Sequence, residues 1–189
     1  MNPPPVSTHE RIVAAAAELT TESGWAAITM SKLADRVGVS RQTVYNELGS
    51  KAQLAEEMVL RELTLFLGEV EEAFDASPDD LVEAIRAACR GVLELAQDNR
   101  LLKAVVSATH GADTELLPLL TTHAESLLGV AKVVISDRIE PYDVKLDRKH
   151  LEAAIDVVVR LVLSHVMQPS GTPADTADDI AWIAERVLR

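Results

Sequence analysis

An all-helical fold is what this sequence predicts, and three observations predict it. Its apolar residues, 48% of the chain, are mostly Ala, Leu and Val, with eight Gly and eight Pro among 189 residues. Those apolar residues recur at helical spacing, and no stretch shows the strict alternation of a half-buried strand. Start and stop residues punctuate the chain at intervals that fit about nine helices in total. The expected organisation is a three-helix N-terminal domain over residues 1–49 and a larger helical domain over residues 50–189.

The first helix opens at Ser7-Thr8-His9-Glu10, a capping box in which the Ser and Glu side chains serve each other's backbone N–H groups. Ile12, Ala16 and Leu19 form its apolar face, Gly24 ends it, and Trp25 and Ile28 fold the chain back. Thr29 is a good N-cap for a short second helix whose stripe is Leu33, Ala34 and Val37. Gly38 supplies the left-handed residue that ends it, and Ser40 caps a third helix running through Val44 to about Leu48. Ala34 and Gly38 are small where two steeply crossed helices meet, and Val39 and Val44 plug the angle between them. Capping, spacing and packing together describe a helix-turn-helix, whose second helix reads base edges in the major groove of DNA.

Gly49-Ser50-Lys51-Ala52-Gln53 is a second capping signature, opening a long helix from Ser50 to about Ala76. This helix is apolar nearly all round at Met58-Val59-Leu60 and Leu65-Phe66-Leu67, so it must be covered on more than one side. Ser77-Pro78 reads as an N-cap with proline in the first turn, starting a helix through Ile85, Val92 and Leu95. A break near Asp98-Asn99 precedes a short helix holding Leu101, Leu102, Val105 and Val106. After a loop at His110 to Asp113, a helix is expected from Thr114 to Ile139, with Pro118 tolerated in its first turn. A linker from Pro141 leads to a helix from about Asp147 to Met167. The loop from Pro169 to Pro173 precedes a last helix from Asp175 to Arg189.

The order helix, G-W-x-x-I-T, helix-turn-helix, Y-x-x-x-x-S-K, long helix resembles the N-terminal domain of the tetracycline-repressor (TetR) family of transcription regulators. The match covers residues 8 to about 55 and agrees at several positions in both residue type and spacing. Beyond it the chain resembles the family in being helical and of suitable length. The resemblance implies a homodimer on duplex DNA, a four-helix interface built from the last two helices, and an effector cavity in the larger domain. The block SRQTVYNELGSK is also similar to actinobacterial regulators tied to alkane or lipid metabolism. The chain departs from many members at Glu47 and Leu48, where they carry His and an aromatic residue.

A net charge of −12 is unusual for a DNA binder until it is divided along the chain. In residues 1–55, Arg11, Lys32, Arg36, Arg41 and Lys51 balance Glu10, Glu18, Glu22, Asp35 and Glu47. The acidic excess therefore lies after residue 55, where it repels DNA and disfavours non-specific sticking. Few phosphates can be neutralised by so small a cationic set, so modest non-specific binding is expected. The segment MNPPPVS brings no Lys or Arg before Arg11, which argues against a minor-groove arm. One cysteine, Cys89, excludes an intrachain disulfide and fits a reducing cytoplasm. No run approaches the length of a membrane span, and no leader pattern is present, so a cytoplasmic location is expected.

Base-contact candidates on the recognition helix are Arg41, Gln42, Thr43 and Asn46. Arg can grip guanine, Gln and Asn can pair with adenine, and the Thr methyl can touch thymine. Ser31, Tyr45 and Lys51 are the phosphate candidates. Lys51 stands at a helix N-terminus, and the family resemblance puts Tyr45 and Lys51 at backbone-clamping positions. Thr29 and Ser40, at the two N-caps, complete the candidate contact set. Glu47 is read as a solvated residue tilted away from the DNA.

The effector side rests on the family resemblance. Candidate lining residues are Met58, Leu63, Phe66, Phe74, Ile85, Cys89, Val105, Leu120 and Leu127, with His123 as a polar handle; at helical spacing such stripes also serve as ordinary core. Aromatic residues are 3% of the chain. That argues against an aromatic cage for a cationic ligand and leaves an aliphatic one, such as a fatty acid or acyl derivative. His110, His123, His150 and His165 share no metal-ligand spacing, so neither a metal nor a cofactor is expected. For the dimer, Leu151, Ile155, Val158, Val162 and His165 make a seam at spacing 4, 3, 4, 3. Ile180, Ile183 and Val187 continue it on the last helix.

Three functions follow from different classes. A ligand-responsive repressor would bind a palindromic operator as a homodimer and leave it when a small apolar effector binds. A constitutive DNA-binding protein would have a solidly packed larger domain and no effector. An enzyme lacks support in the sequence, which contains no HExxH, P-loop, nucleophile elbow or dinucleotide fingerprint.

Overall fold

The apolar face of the first helix is covered by the next three helices and by Leu101. The computed structural model describes residues 6–103 and 124–188, and these hold eight α-helices, one 3-10 turn and no strand. We number the helices α1 (Thr8–Ser23), α2 (Met30–Val37), α3 (Arg41–Leu48), α4 (Lys51–Ala76), α5 (Leu81–Asp98), α6 (Ala124–Ile139), α7 (Arg148–Met167) and α8 (Pro173–Leu188). Residues 100–103 are also helical. The all-helical expectation holds among the described residues. Two compact units divide within α4, between Glu62 and Leu63; residues 100–103 belong with the first unit, and the chain from Glu125 with the second.

In the first unit, Ile12, Ala16 and Leu19 of α1 are buried against Leu33 and Ala34 of α2 and Val44 and Leu48 of α3. Trp25 and Ile28, around the 3-10 turn, and Leu54, Ala55 and Met58 of α4 close the same core, together with Leu101. The capping box at Ser7 and Glu10 forms as expected. Those hydrogen bonds hold the Glu10 carboxyl below the usual carboxylate range. Thr20, buried in this core, donates its hydroxyl to the Ala16 carbonyl at 2.7 Å, so no polar group is left orphaned there.

In the second unit α8 packs chiefly on α5, and α7 also meets α5. One cluster gathers Val70 and Phe74 of α4, Ala84 and Ala88 of α5, Ile139, and Ile155 and Val159 of α7. Another holds Cys89, Ala177 and Ile180, and Ile85 packs against both. Phe74 meets Tyr142 edge to face with centroids 5.9 Å apart. Burial pushes the Cys89 thiol up to about 12. At neutral pH it therefore stays in the unreactive thiol form. A thiol-selective alkylating reagent is expected to label native protein far more slowly than urea-unfolded protein, and comparable rates would show that Cys89 is accessible.

Two helix starts differ from the sequence expectation. The helix after Ser77-Pro78 begins at Leu81, with Asp80 as N-cap accepting from the Glu83 N–H at 2.9 Å. Ser77 instead closes a turn: its carbonyl accepts from Asp80 N–H at 3.2 Å and from the Tyr142 hydroxyl at 2.9 Å. The last helix begins at Pro173, two residues earlier than expected, because Thr172 accepts from the Asp175 N–H and Pro173 fits the first turn. The helix before Pro141 is described from Ala124 to Ile139, and its expected earlier part lies outside the described residues. Asp147 caps α7, and its hydrogen bonds to His150 hold its carboxyl low. No helix among the described residues is long and apolar enough to cross a membrane.

Candidate nucleic-acid interface

Residues 29–48 fold as a helix-turn-helix because each junction has its own chemical stop. Thr29, extended at φ −133°, accepts from the Lys32 N–H at 3.2 Å and starts α2. Gly38 ends α2 at φ 76° and ψ 37°, a left-handed conformation that costs side-chain-bearing residues roughly 1–2 kcal/mol. There the N–H groups of Gly38 and Val39 both donate to the Ala34 carbonyl. Ser40 then accepts from the Thr43 N–H at 3.0 Å and starts α3. Val44 and Leu48 face the core, which turns Arg41, Gln42, Tyr45, Asn46 and Glu47 outward.

The outward residues are paired along the helix. The Gln42 amide nitrogen donates to the Asn46 amide oxygen at 2.9 Å. One residue earlier, Arg41 donates to the Tyr45 hydroxyl at 3.2 Å, and its guanidinium lies 5.4 Å from that ring's centroid. The Thr43 and Ser40 hydroxyls lie 2.8 Å apart. Ser31 is exposed on α2. The Lys51 ammonium lies over the Trp25 ring, 4.9 Å from its centroid. Glu47 is exposed, as expected, while Leu48 fills the core.

Three residues that sequence reasoning left unassigned brace this surface from behind. Arg11 of α1 donates to the Val37 carbonyl at 2.7 Å, serving the C-terminal end of α2. Arg36 of α2 bonds both oxygens of Glu22 on α1, at 2.6 and 3.2 Å, and lies 3.5 Å from Glu18. That pairing raises the Arg36 pKa and lowers that of Glu22. His9 Nδ1 donates to the Glu47 carbonyl at 3.3 Å, and its Nε2 lies 3.5 Å from the Glu57 carboxylate of α4. No local spacing rule reveals these contacts, because the partners are 14 to 48 residues apart in sequence and meet only once the helices have packed.

The effector candidates are dispersed. Met58 belongs to the core of the first unit. Leu63, Phe66 and Leu127 are half-buried, Phe74 lies in one cluster of the second unit and Cys89 in the other, and Ile85 packs against both. Val105, Leu120 and His123 lie outside the described residues. An open cleft beside Phe74 and Tyr142 is flanked by Arg138, which pairs with Glu71 and Asp75. Among residues whose side chains are described, no group of three or more His, Cys, Asp or Glu could hold a metal ion.

The dimer candidates separate by burial. Ile155 and Ile180 are buried in the chain's own clusters, and Leu151, Val158 and Val162 pack against those clusters. His165 Nδ1 donates to the Leu161 carbonyl of its own helix. Ile183 and Val187 are exposed, as are Val157, Leu163 and Met167 of α7 and Trp182 of α8. The Arg186 guanidinium lies 3.7 Å from the Trp182 ring centroid.

A helix-turn-helix with paired outward side chains on a helical body defines the class of protein, a DNA-binding regulator. Residues 12–58 match the family of bacterial regulatory proteins of the TetR type, and residues 80–186 match the C-terminal domain of the bacterial tetracycline repressor. The chain therefore belongs to the TetR family. It is 28% identical over 172 residues to the HTH-type transcriptional regulator AlkX of Mycobacterium tuberculosis, covering 91% of this chain and 81% of that one. Among solved structures it resembles the TetR family repressor AlkX of a Dietzia strain, a protein implicated in biodegradation of n-alkanes. That likeness has a TM-score of 0.75 at 24% identity, covering 98% of this chain and all of the other. The fatty acid degradation regulator FadR of Bacillus halodurans is similar in fold, with a TM-score of 0.58 at 17% identity over the whole of this chain and 96% of its own.

Proposed function

We propose that this chain is a ligand-responsive repressor that binds a palindromic operator as a homodimer and is released by a small aliphatic effector. The observation that carries the DNA part is α3, capped at both ends and braced from α1, with Arg41, Gln42, Tyr45 and Asn46 all outward. Arg41, Gln42 and Thr43 take the base edges, with Asn46 one turn beyond Gln42 on the same exposed face; Thr29, Ser31, Ser40, Tyr45 and Lys51 take the phosphates. Residues 1–49 do the reading, and residues 50–189 bind the effector and the second copy. The outer apolar residues of α7 and α8, led by Trp182 and Ile183, form the interface. Ile155 and Ile180 support it from within the protomer.

Support for an aliphatic effector comes from the low aromatic content and from relatives named for alkane biodegradation and fatty acid degradation. An effector that fits the larger domain better in one conformation shifts α4 and changes the separation of the two reading heads. Typical coupling lowers DNA affinity about 5–150-fold.

Footprinting on the DNA flanking the gene is the experiment. We expect protection of two half-sites about one helical turn apart. Saturated fatty acids or their acyl derivatives should lift that protection, and Lys51→Ala should lower the salt slope by about one for every sequence alike. Absence of any protected palindrome sinks the reading. Protection that no aliphatic ligand alters would favour a constitutive DNA-binding protein.

A further inference from the structure

Gln42 and Asn46 are both exposed on α3, and their amides are already hydrogen-bonded to each other, nitrogen of Gln42 to oxygen of Asn46, at 2.9 Å. An unrestrained glutamine amide at the end of a flexible side chain can turn over and offer either its oxygen with one N–H or its two N–H groups. The first arrangement complements adenine, which presents an acceptor at N7 and a donor at N6. The second complements guanine, which presents two acceptors at N7 and O6. Committing one Gln42 N–H to Asn46 removes the second arrangement. What remains is the amide oxygen and one N–H.

We propose that Asn46 is a positioning residue that fixes the Gln42 amide so that it reads adenine and rejects guanine. The proposal rests on the DNA-reading assignment above and deepens it. Gln42 donates to adenine N7 and accepts from the N6 amino group. Against guanine the same held amide sets its oxygen toward O6, two acceptors facing each other, so the wrong base is repelled as well as unrewarded. Gln42 is the reader of the pair because residues in the N-terminal part of a recognition helix contact base edges, and Gln42 is the second residue of α3. Asn46, one turn later, acts from the side. The remaining contacts of α3 leave the pair undisturbed: Arg41 is engaged with Tyr45, and the Thr43 hydroxyl lies beside that of Ser40.

The test is selection of bound duplexes from a randomised pool by the full-length chain, with bound DNA sequenced, for wild type, Gln42→Ala, Asn46→Ala and Asn46→Asp. Wild type should enrich a site with one position per half-site that is adenine in preference to guanine by about tenfold or more. Asn46→Ala should keep the rest of the site but let guanine in at that position, lowering the adenine-to-guanine ratio by about tenfold. Gln42→Ala should accept any base there. Asn46→Asp keeps an acceptor for the Gln42 N–H, so adenine preference should return, with weaker binding overall because the carboxylate repels phosphate. Urea midpoints equal to wild type for the three variants confirm that the head is folded. Guanine preferred by wild type, an adenine preference untouched in Asn46→Ala, or no recovery in Asn46→Asp overturns the inference and leaves DNA reading standing. No enriched site for wild type overturns both.

Discussion

Ile183→Asp is expected to convert a dimer into a monomer and to lower operator affinity by about 10²–10⁴-fold, the advantage that linking two binding modules confers. Ile183 is 43% exposed and lies on the outer face of α8 with Trp182 and Val187, so a carboxylate there stays hydrated in the single chain. In the proposed interface the same carboxylate would be stripped of water without a partner. The neighbouring Ile180 gives the contrast. It is 2% exposed and clustered with Cys89 and Ala177, so Ile180→Asp should unfold the second unit outright. Sedimentation equilibrium and fluorescence anisotropy on a palindromic operator would check both statements. A dimer that persists in Ile183→Asp places the interface elsewhere.

Leu33→Ala should destabilise the DNA-reading unit by about 2–5 kcal/mol, the range for truncating a buried leucine. Leu33 has no exposed surface and belongs to the cluster that joins α1, α2, α3 and the start of α4. A cavity there loosens the helix on which α3 rests, so operator binding falls with stability. Urea unfolding followed by circular dichroism measures the cost. Unchanged unfolding alongside lost binding would mean that Leu33 touches DNA, contrary to its burial.

The reading head was legible because its signals are local. Ser7 with Glu10, Thr29, Gly38 and Ser40 each announce a helix end within four residues, and the structure uses all of them. Helix starts after residue 76 were less legible for the same reason. Ser77, Asp79 and Asp80 all offer cap oxygens within a single turn, and local spacing does not choose between them; the structure uses Asp80, while the Ser77 carbonyl accepts from Tyr142, 65 residues away. Burial on α7 was ambiguous in principle. A helix with apolar residues on two sides does not record which side meets its own chain, and the 4, 3, 4, 3 seam fell mainly on the inner one. Arg11, Arg36 and His9 carry no periodic signature at all. Their roles exist only in the packed head.

Those braces have a thermodynamic consequence. Arg11 ties α1 to the end of α2, Arg36 ties α2 back to α1, and His9 ties α1 to the end of α3 and to α4. The proposed reading helix is thus fixed to its supports in the free chain, and docking on DNA would order little new backbone. The heat capacity change on binding one head should then scale with the contact surface alone, without the larger negative contribution of a segment that folds as it binds.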